Sequence, residues 1–149
     1  MTILSIFQKG SERNPQGLRI EPFDEAHLAK LLKWTTTERE LRLWSGGTFD
    51  GIPDEATFRG HLTRPRVHPY QATDKWGRLT AYAELVQLAE GSGTLCRVIV
   101  DPRRRGMGMG KAFVEQLMRE AFEQHRFKRL LLNVFTFNAP ALRCYRSLG

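Results

Sequence analysis

Between Leu95 and Phe122 the sequence reads LCRVIVDPRRRGMGMGKAFVEQLMREAF, and this stretch restricts the fold more than any other. It opens on an apolar, β-branched run, Val98, Ile99 and Val100, which suits a strand buried on both faces. Asp101 and Pro102 end that strand, since proline cannot donate to a sheet ladder. Three arginines (Arg103, Arg104, Arg105) and three alternating glycines (Gly106, Gly108, Gly110) follow, with Met107 and Met109 between the glycines. Val114, Leu117, Met118, Ala121 and Phe122 then recur at helical spacing, with Lys111, Glu115, Arg119 and Glu123 off that face.

A strand, a basic glycine loop and an amphipathic helix together make an anion cradle. The first helical turn leaves N–H groups without intrahelical acceptors, and the macrodipole adds partial positive charge there. Glycines let a phosphate approach those donors, and Arg105 and Lys111 supply longer-range attraction. A phosphate-bearing ligand is therefore expected.

Spacing discriminates among such ligands. A dinucleotide fingerprint, G-x-G-x-x-G, counted from Gly106 meets Lys111 at its last glycine, and counted from Gly108 meets Phe113. A Walker loop finds Gly110 and Lys111, but Arg105 stands at its first glycine and Ala112 replaces the hydroxyl that would hold magnesium. Both nucleotide readings are weakened, and a P-loop-like nucleotide binder stays open as an alternative.

The pattern that fits is R-x-x-G-x-G, Arg105 to Gly110, after V-x-V-D-P. Here the sequence resembles the GCN5-related N-acetyltransferase (GNAT) family, in which this loop wraps the pyrophosphate of acetyl-coenzyme A. Leu130 to Phe135 form a further apolar strand, Asn138 caps a last helix with Pro140 in its first turn, and Ala141, Leu142, Tyr145 and Leu148 make its apolar face. The same strand, asparagine, helix and tyrosine follow the cradle helix in that family. The resemblance covers 18–149, with 1–17 as an N-terminal extension in which Thr2 to Gln8 is a candidate strand and Gly10 to Gly17 a loop.

The resemblance implies an α/β fold, a mixed, mostly antiparallel sheet flanked by helices. The family adds two more strands after the point where this sequence stops, so an open sheet edge is expected unless Thr2 to Gln8 or a strand from a second subunit of a homodimer fills it. Gly149 stands where a C-cap glycine would.

Upstream, Leu18 to Phe23 reads as a short strand and Asp24 as the N-cap of a helix carrying Ala26, Leu28, Leu31, Leu32 and Trp34. Helical pattern resumes from Thr37 through Trp44 until Gly46 and Gly47, and again over Pro53 to Leu62. Val67 to Thr73 and Leu79 to Leu88 form a hairpin about Asp74 to Gly77, and Gly91 and Gly93 turn into the Leu95 strand.

At 149 residues and 41% hydrophobic, the chain suits one domain, and no apolar run reaches the length of a membrane span. MTILSIFQKG lacks a basic lead and a small-residue cleavage site, and Cys96 and Cys144 read as reduced residues, so a cytoplasmic protein is expected. The net charge of +7 lies wholly in 97–149, with 11 basic and 4 acidic residues, around the cofactor loop. Coenzyme A accounts for it better than nucleic acid, because no aromatic-rich basic stripe accompanies it. His27, His61, His68 and His125 show no metal-ligand spacing, so no metal is expected.

The resemblance further assigns roles. Val98, Ile99 and Val100 offer main-chain groups to the pantetheine arm and the thioester carbonyl; Arg105 to Lys111, with Gly106, Met107, Gly108, Met109 and Gly110, hold the pyrophosphate; Asn138 contacts the cofactor. Tyr145, seven residues after Asn138, matches the tyrosine that protonates the departing sulfur. Ribosomal-protein acetyltransferases of the family carry a glutamate where this chain has Asn133, so Glu84 becomes the candidate base, acting through a water, beside the plainer reading of a salt-bridged strand carboxylate. The expected reaction moves an acetyl group to a primary amine of a small molecule or a protein N-terminus. A non-catalytic acyl-coenzyme A-binding module is the second reading, favoured by Asn133 and by the two missing strands.

Overall fold

A computed structural model describes residues 2–6 and 17–148. Among these residues six strands form one sheet: β1 (Thr2–Ile6), β2 (Arg19–Pro22), β3 (Val67–Thr73), β4 (Leu79–Gln87), β5 (Ser92–Val100) and β6 (Arg129–Val134). Their spatial order is β1-β6-β5-β4-β3-β2. Every neighbouring pair is antiparallel except β5 and β6, which are parallel and joined by helix α4 (Met109–Glu123). The remaining helices are α1 (Leu28–Leu32), α2 (Glu38–Ser45), α3 (Glu55–Leu62) and α5 (Ala139–Arg146).

Strand alternation divides the interior into two cores. Ala81, Ala83 and Leu85 of β4 turn toward α4, whose Phe113, Val114, Leu117, Met118 and Ala121 are buried against them. Tyr82, between those residues, turns to the opposite face and packs with Leu28, Leu31, Trp44 and Phe58 from α1 to α3. Its ring meets Phe23, Trp44 and Phe58 edge-on. α2 is held at its start by a capping box between Thr37 and Glu40 and stopped by Gly46, whose φ of +62° suits glycine.

Several local expectations change. Asp24 caps a short 3₁₀ turn, Glu25–His27, before α1 begins at Leu28, so Ala26 is exposed and Trp34 is buried from the turn after the helix. Gly93 lies within β5, not in the turn; a Cβ there would sit 2.3 Å from the ring of Phe127, so β5 starts earlier because only glycine fits beneath that ring. The expected strand Thr2 to Gln8 is described from Thr2 to Ile6, and it pairs antiparallel with β6 from Thr2↔Val134 to Ile6↔Leu130, so β6 is not an edge. The loop expected from Gly10 onward, as far as Gln16, and the closing Gly149 fall outside the described residues.

Candidate active site

β5 and β6 part company midway. Their parallel ladder runs from Ser92↔Arg129 to Leu95↔Leu132 and stops, so Cys96 to Val100 have no partner on the β6 side. Ile99 is buried in the second core, as expected, but Val98 and Val100 on the other face are only half-buried, because the parting strands open a cleft beside them. Main-chain donors and acceptors along this edge are open to pairing with an extended ligand.

On its other side β5 carries a bulge. Tyr82 pairs with Ile99 and Glu84 with Cys96, which leaves three steps of β5 against two of β4. Arg97 sits in this bulge at φ +51°, a left-handed conformation costly for a side-chain-bearing residue. Its carbonyl accepts the indole N–H of Trp44 at 2.7 Å. Its guanidinium donates to Glu84 and to Thr48 Oγ1.

Glu84, expected as a base, is therefore committed elsewhere. It is fully buried, and besides Arg97 it binds His61 Nε2 and the Tyr82 hydroxyl, each at 2.7 Å. Burial alone would raise its pKa, but the hydrogen bonds from His61 and Arg97 and the charge of Arg97 hold it below the usual carboxylate range. It lines neither part of the cleft, and a carboxylate so satisfied has no lone pair to offer a substrate. The geometry fits the plainer reading, a buried ion-paired strand carboxylate.

After β5, Asp101 caps a 3₁₀ turn over Pro102–Arg104 by accepting from the Arg103 amide. Gly106 and Gly108 follow at φ +77° and +75°, and Gly108 is the N-cap of α4. No side chain caps α4, so the amides of Met109, Gly110 and Lys111 stay available to a ligand. Arg104 does not belong to this cradle as a free cation; its guanidinium bonds Asp74 in the β3–β4 turn at 2.8 Å.

Two adjoining cavities, of about 490 and about 290 Å³, meet along Leu43, Trp44, Val98, Asn138, Ala141 and Tyr145. The larger includes Ile99, Val100, Arg105, Gly106, Gly108, Met109, Gly110 and Lys111. Met107 is not among its walls and is 61% exposed. The smaller lies where the strands part, walled by Cys96, Arg97, Asn133 and Phe135 with Gly46 and Gly47 opposite. A long chamber with cations and free amides at one end and an unpaired strand edge along its middle suits a phosphate-bearing chain with amide groups, so coenzyme A fits it.

Tyr145 stands at the junction of the two cavities, and among the described residues no hydrogen bond holds its hydroxyl. Burial raises its pKa, and the neighbouring thiols of Cys144 and Cys96 add to the shift, so the phenol stays protonated. Burial likewise raises both thiols. Asn138 accepts from the Ala141 amide at 3.4 Å and so starts α5, which brings Tyr145 to the cleft. Glu40 is the one carboxylate among the described lining residues, and the amides of Thr36 and Thr37 that bind it lower its pKa.

The model of the acetyltransferase (GNAT) family matches residues 28–149. The chain belongs to the GNAT acetyltransferase family. A curated relative, the ribosomal protein bS18-alanine N-acetyltransferase of Escherichia coli K12, is 36% identical over 106 residues, 71% of this chain. That match spans 63% of the relative's own length. Among solved structures, spermidine N-acetyltransferase from Vibrio cholerae, in complex with CoA and spermine, superposes with a TM-score of 0.76 at 15% identity, over 89% of this chain and 80% of that one. The aminoglycoside acetyltransferase AAC(6')-Ib in complex with coenzyme A gives 0.72 at 19% identity, over 89% and 83%. These likenesses establish the GNAT fold.

Leu43, Cys96 and Arg97 are wall residues that pattern reading does not single out for the site. Leu43 carries an ordinary helical core pattern. Arg97 had a usable signal: it is the one charge inside the apolar run from Leu95 to Val100. No helix among the described residues is long and apolar enough to cross a membrane, and no three His, Cys, Asp or Glu side chains among them form a metal-binding group.

Proposed function

We propose that this GNAT protein transfers the acetyl group of acetyl-coenzyme A to a primary amine, of a small molecule or a protein N-terminus, by direct attack. The observation that carries the reading is the continuous cleft from the uncapped start of α4, past the unpaired edge of β5, to the Tyr145 hydroxyl. Arg105, Lys111 and the amides of 109–111 hold the pyrophosphate. Main-chain groups of Val98 to Val100 align the pantetheine arm and the thioester, and Asn138 borders both.

The amine nitrogen bonds to the carbonyl carbon, the carbon–sulfur bond breaks, and Tyr145 gives its proton to the leaving sulfur. The attacking nitrogen sheds its extra proton to water. Protonated Cys96 and Cys144 argue against an acetyl-cysteine step, since a thiol is a poor nucleophile until ionised. The same free thiols suit a reducing, cytoplasmic setting.

Calorimetric titration with acetyl-coenzyme A, with magnesium and ATP as control, tests the cofactor. Binding of acetyl-coenzyme A alone, weakened by salt, is expected; ATP affinity would favour a nucleotide binder, against which Ala112 already speaks, because it is packed into the core where that reading needs a magnesium-holding hydroxyl. Thiol release with a panel of amines, including a peptide with N-terminal alanine and spermidine, then tests transfer. Binding without release on any amine would favour the non-catalytic reading, which Asn133 in the smaller cavity supports.

A further inference from the structure

The Arg97 bulge is over-determined. Its carbonyl is held by Trp44, its guanidinium by Glu84 and Thr48, and Glu84 in turn by His61 and Tyr82. These partners come from α2, α3, β4 and the α2–α3 connection. A left-handed arginine persists only where its surroundings impose it. The bulge lies at the point where β5 leaves β6, and Arg97 and Val98 both line the smaller cavity. A rotation of the Arg97 peptide would redirect the next amide, that of Val98, a residue that lines both cavities.

We propose that Glu84, Arg97 and Trp44 act as positioning residues that fix the bulge and so aim the Val98 amide at the thioester oxygen. This inference rests on the acetyl-transfer reading above. The clamp does not contact the reacting atoms. It holds a donor in place where negative charge develops on the carbonyl oxygen, without reorganisation at the moment of reaction. Its buried ion pair therefore serves conformation, the role for which such pairs are best attested.

The test compares two double variants, Arg97→Ala with Glu84→Gln and Arg97→Gly with Glu84→Gln. Each removes both charges, so no unpaired ion is left buried. The side-chain amide that Glu84→Gln introduces still offers an oxygen to His61 and Tyr82. Glycine adopts a positive φ freely and alanine does not. The alanine variant is expected to lose turnover by about a hundredfold, and the glycine variant to recover at least about fivefold of it. Dissociation constants for coenzyme A, which lacks the acetyl oxygen, should match the wild type in both.

The ratio of acetyl-coenzyme A affinity to coenzyme A affinity should collapse in the alanine variant and return with glycine. A role confined to stability would leave the two double variants alike in turnover and in this ratio, and that result overturns the inference. An alanine variant as active as the wild type overturns it too, with the acetyl-transfer reading intact. A wild-type chain that binds neither coenzyme overturns both together.

Discussion

Asp74 in the β3–β4 turn and Arg104 after β5 meet at 2.8 Å, so the hairpin is bolted to the loop that leads into the glycines at the start of α4. Asp74 also accepts from the amides of Trp76 and Arg78 and from the Arg78 side chain. Burial would raise its pKa, yet these bonds from Arg78, Arg104 and the Trp76 amide hold it well below the usual carboxylate range. Asp74→Asn is expected to cost about 1 kcal/mol, read as a lower denaturation midpoint. A depressed folded pKa means that this stability is present above the unfolded pKa of about 3.9 and lost as pH falls below it. The gap between wild type and variant should therefore persist at neutral pH and close in acid; a gap that widens in acid would contradict the assignment.

Tyr145→Phe is expected to lower turnover by about a hundredfold while leaving acetyl-coenzyme A affinity nearly unchanged. Because burial raises the phenol pKa, its proton stays in place from about pH 6 to about pH 9. The loss should be the same throughout that range. Steady-state rates at several pH values, with calorimetry for the cofactor, check both points, and an unaltered rate removes the role of Tyr145 as acid.

Glu84 is buried and triply hydrogen-bonded, and no carboxylate other than Glu40 lines the cleft among the described residues. Turnover at low acceptor concentration should then rise with pH in step with the acceptor amine's own titration, with no separate enzyme inflection in the carboxylate range. An inflection there that Glu84→Gln abolishes would return Glu84 to the role of base.

Gly93→Ala places a methyl against the Phe127 ring, 2.3 Å from its nearest atom before relaxation. Phe127 is itself buried, so it has little room to yield. A cost of about 1–3 kcal/mol is expected from urea denaturation. Gly93→Ala combined with Phe127→Ala should fall well short of the sum of the two single losses, since the second change removes the clash.

What the sequence determined by itself is local: the glycine loop, the apolar face of α4, the Asn138 cap and the helix that carries Tyr145 all depend on residues within a few positions of one another. Periodicity, caps and glycine conformations act over one or two turns, and these survive as written. The two arginines that look alike, Arg104 and Arg105, differ only because Asp74, thirty residues earlier, folds against the first. Glu84 looks like a base on an alternating strand and becomes an anchor because α3 brings His61 and the β5 bulge brings Arg97 onto it. The edge of β6 is covered by a strand from the opposite end of the chain. Pairings of this kind join groups far apart in sequence, and their energies depend on desolvation and on which strands lie side by side, so only the tertiary structure decided them.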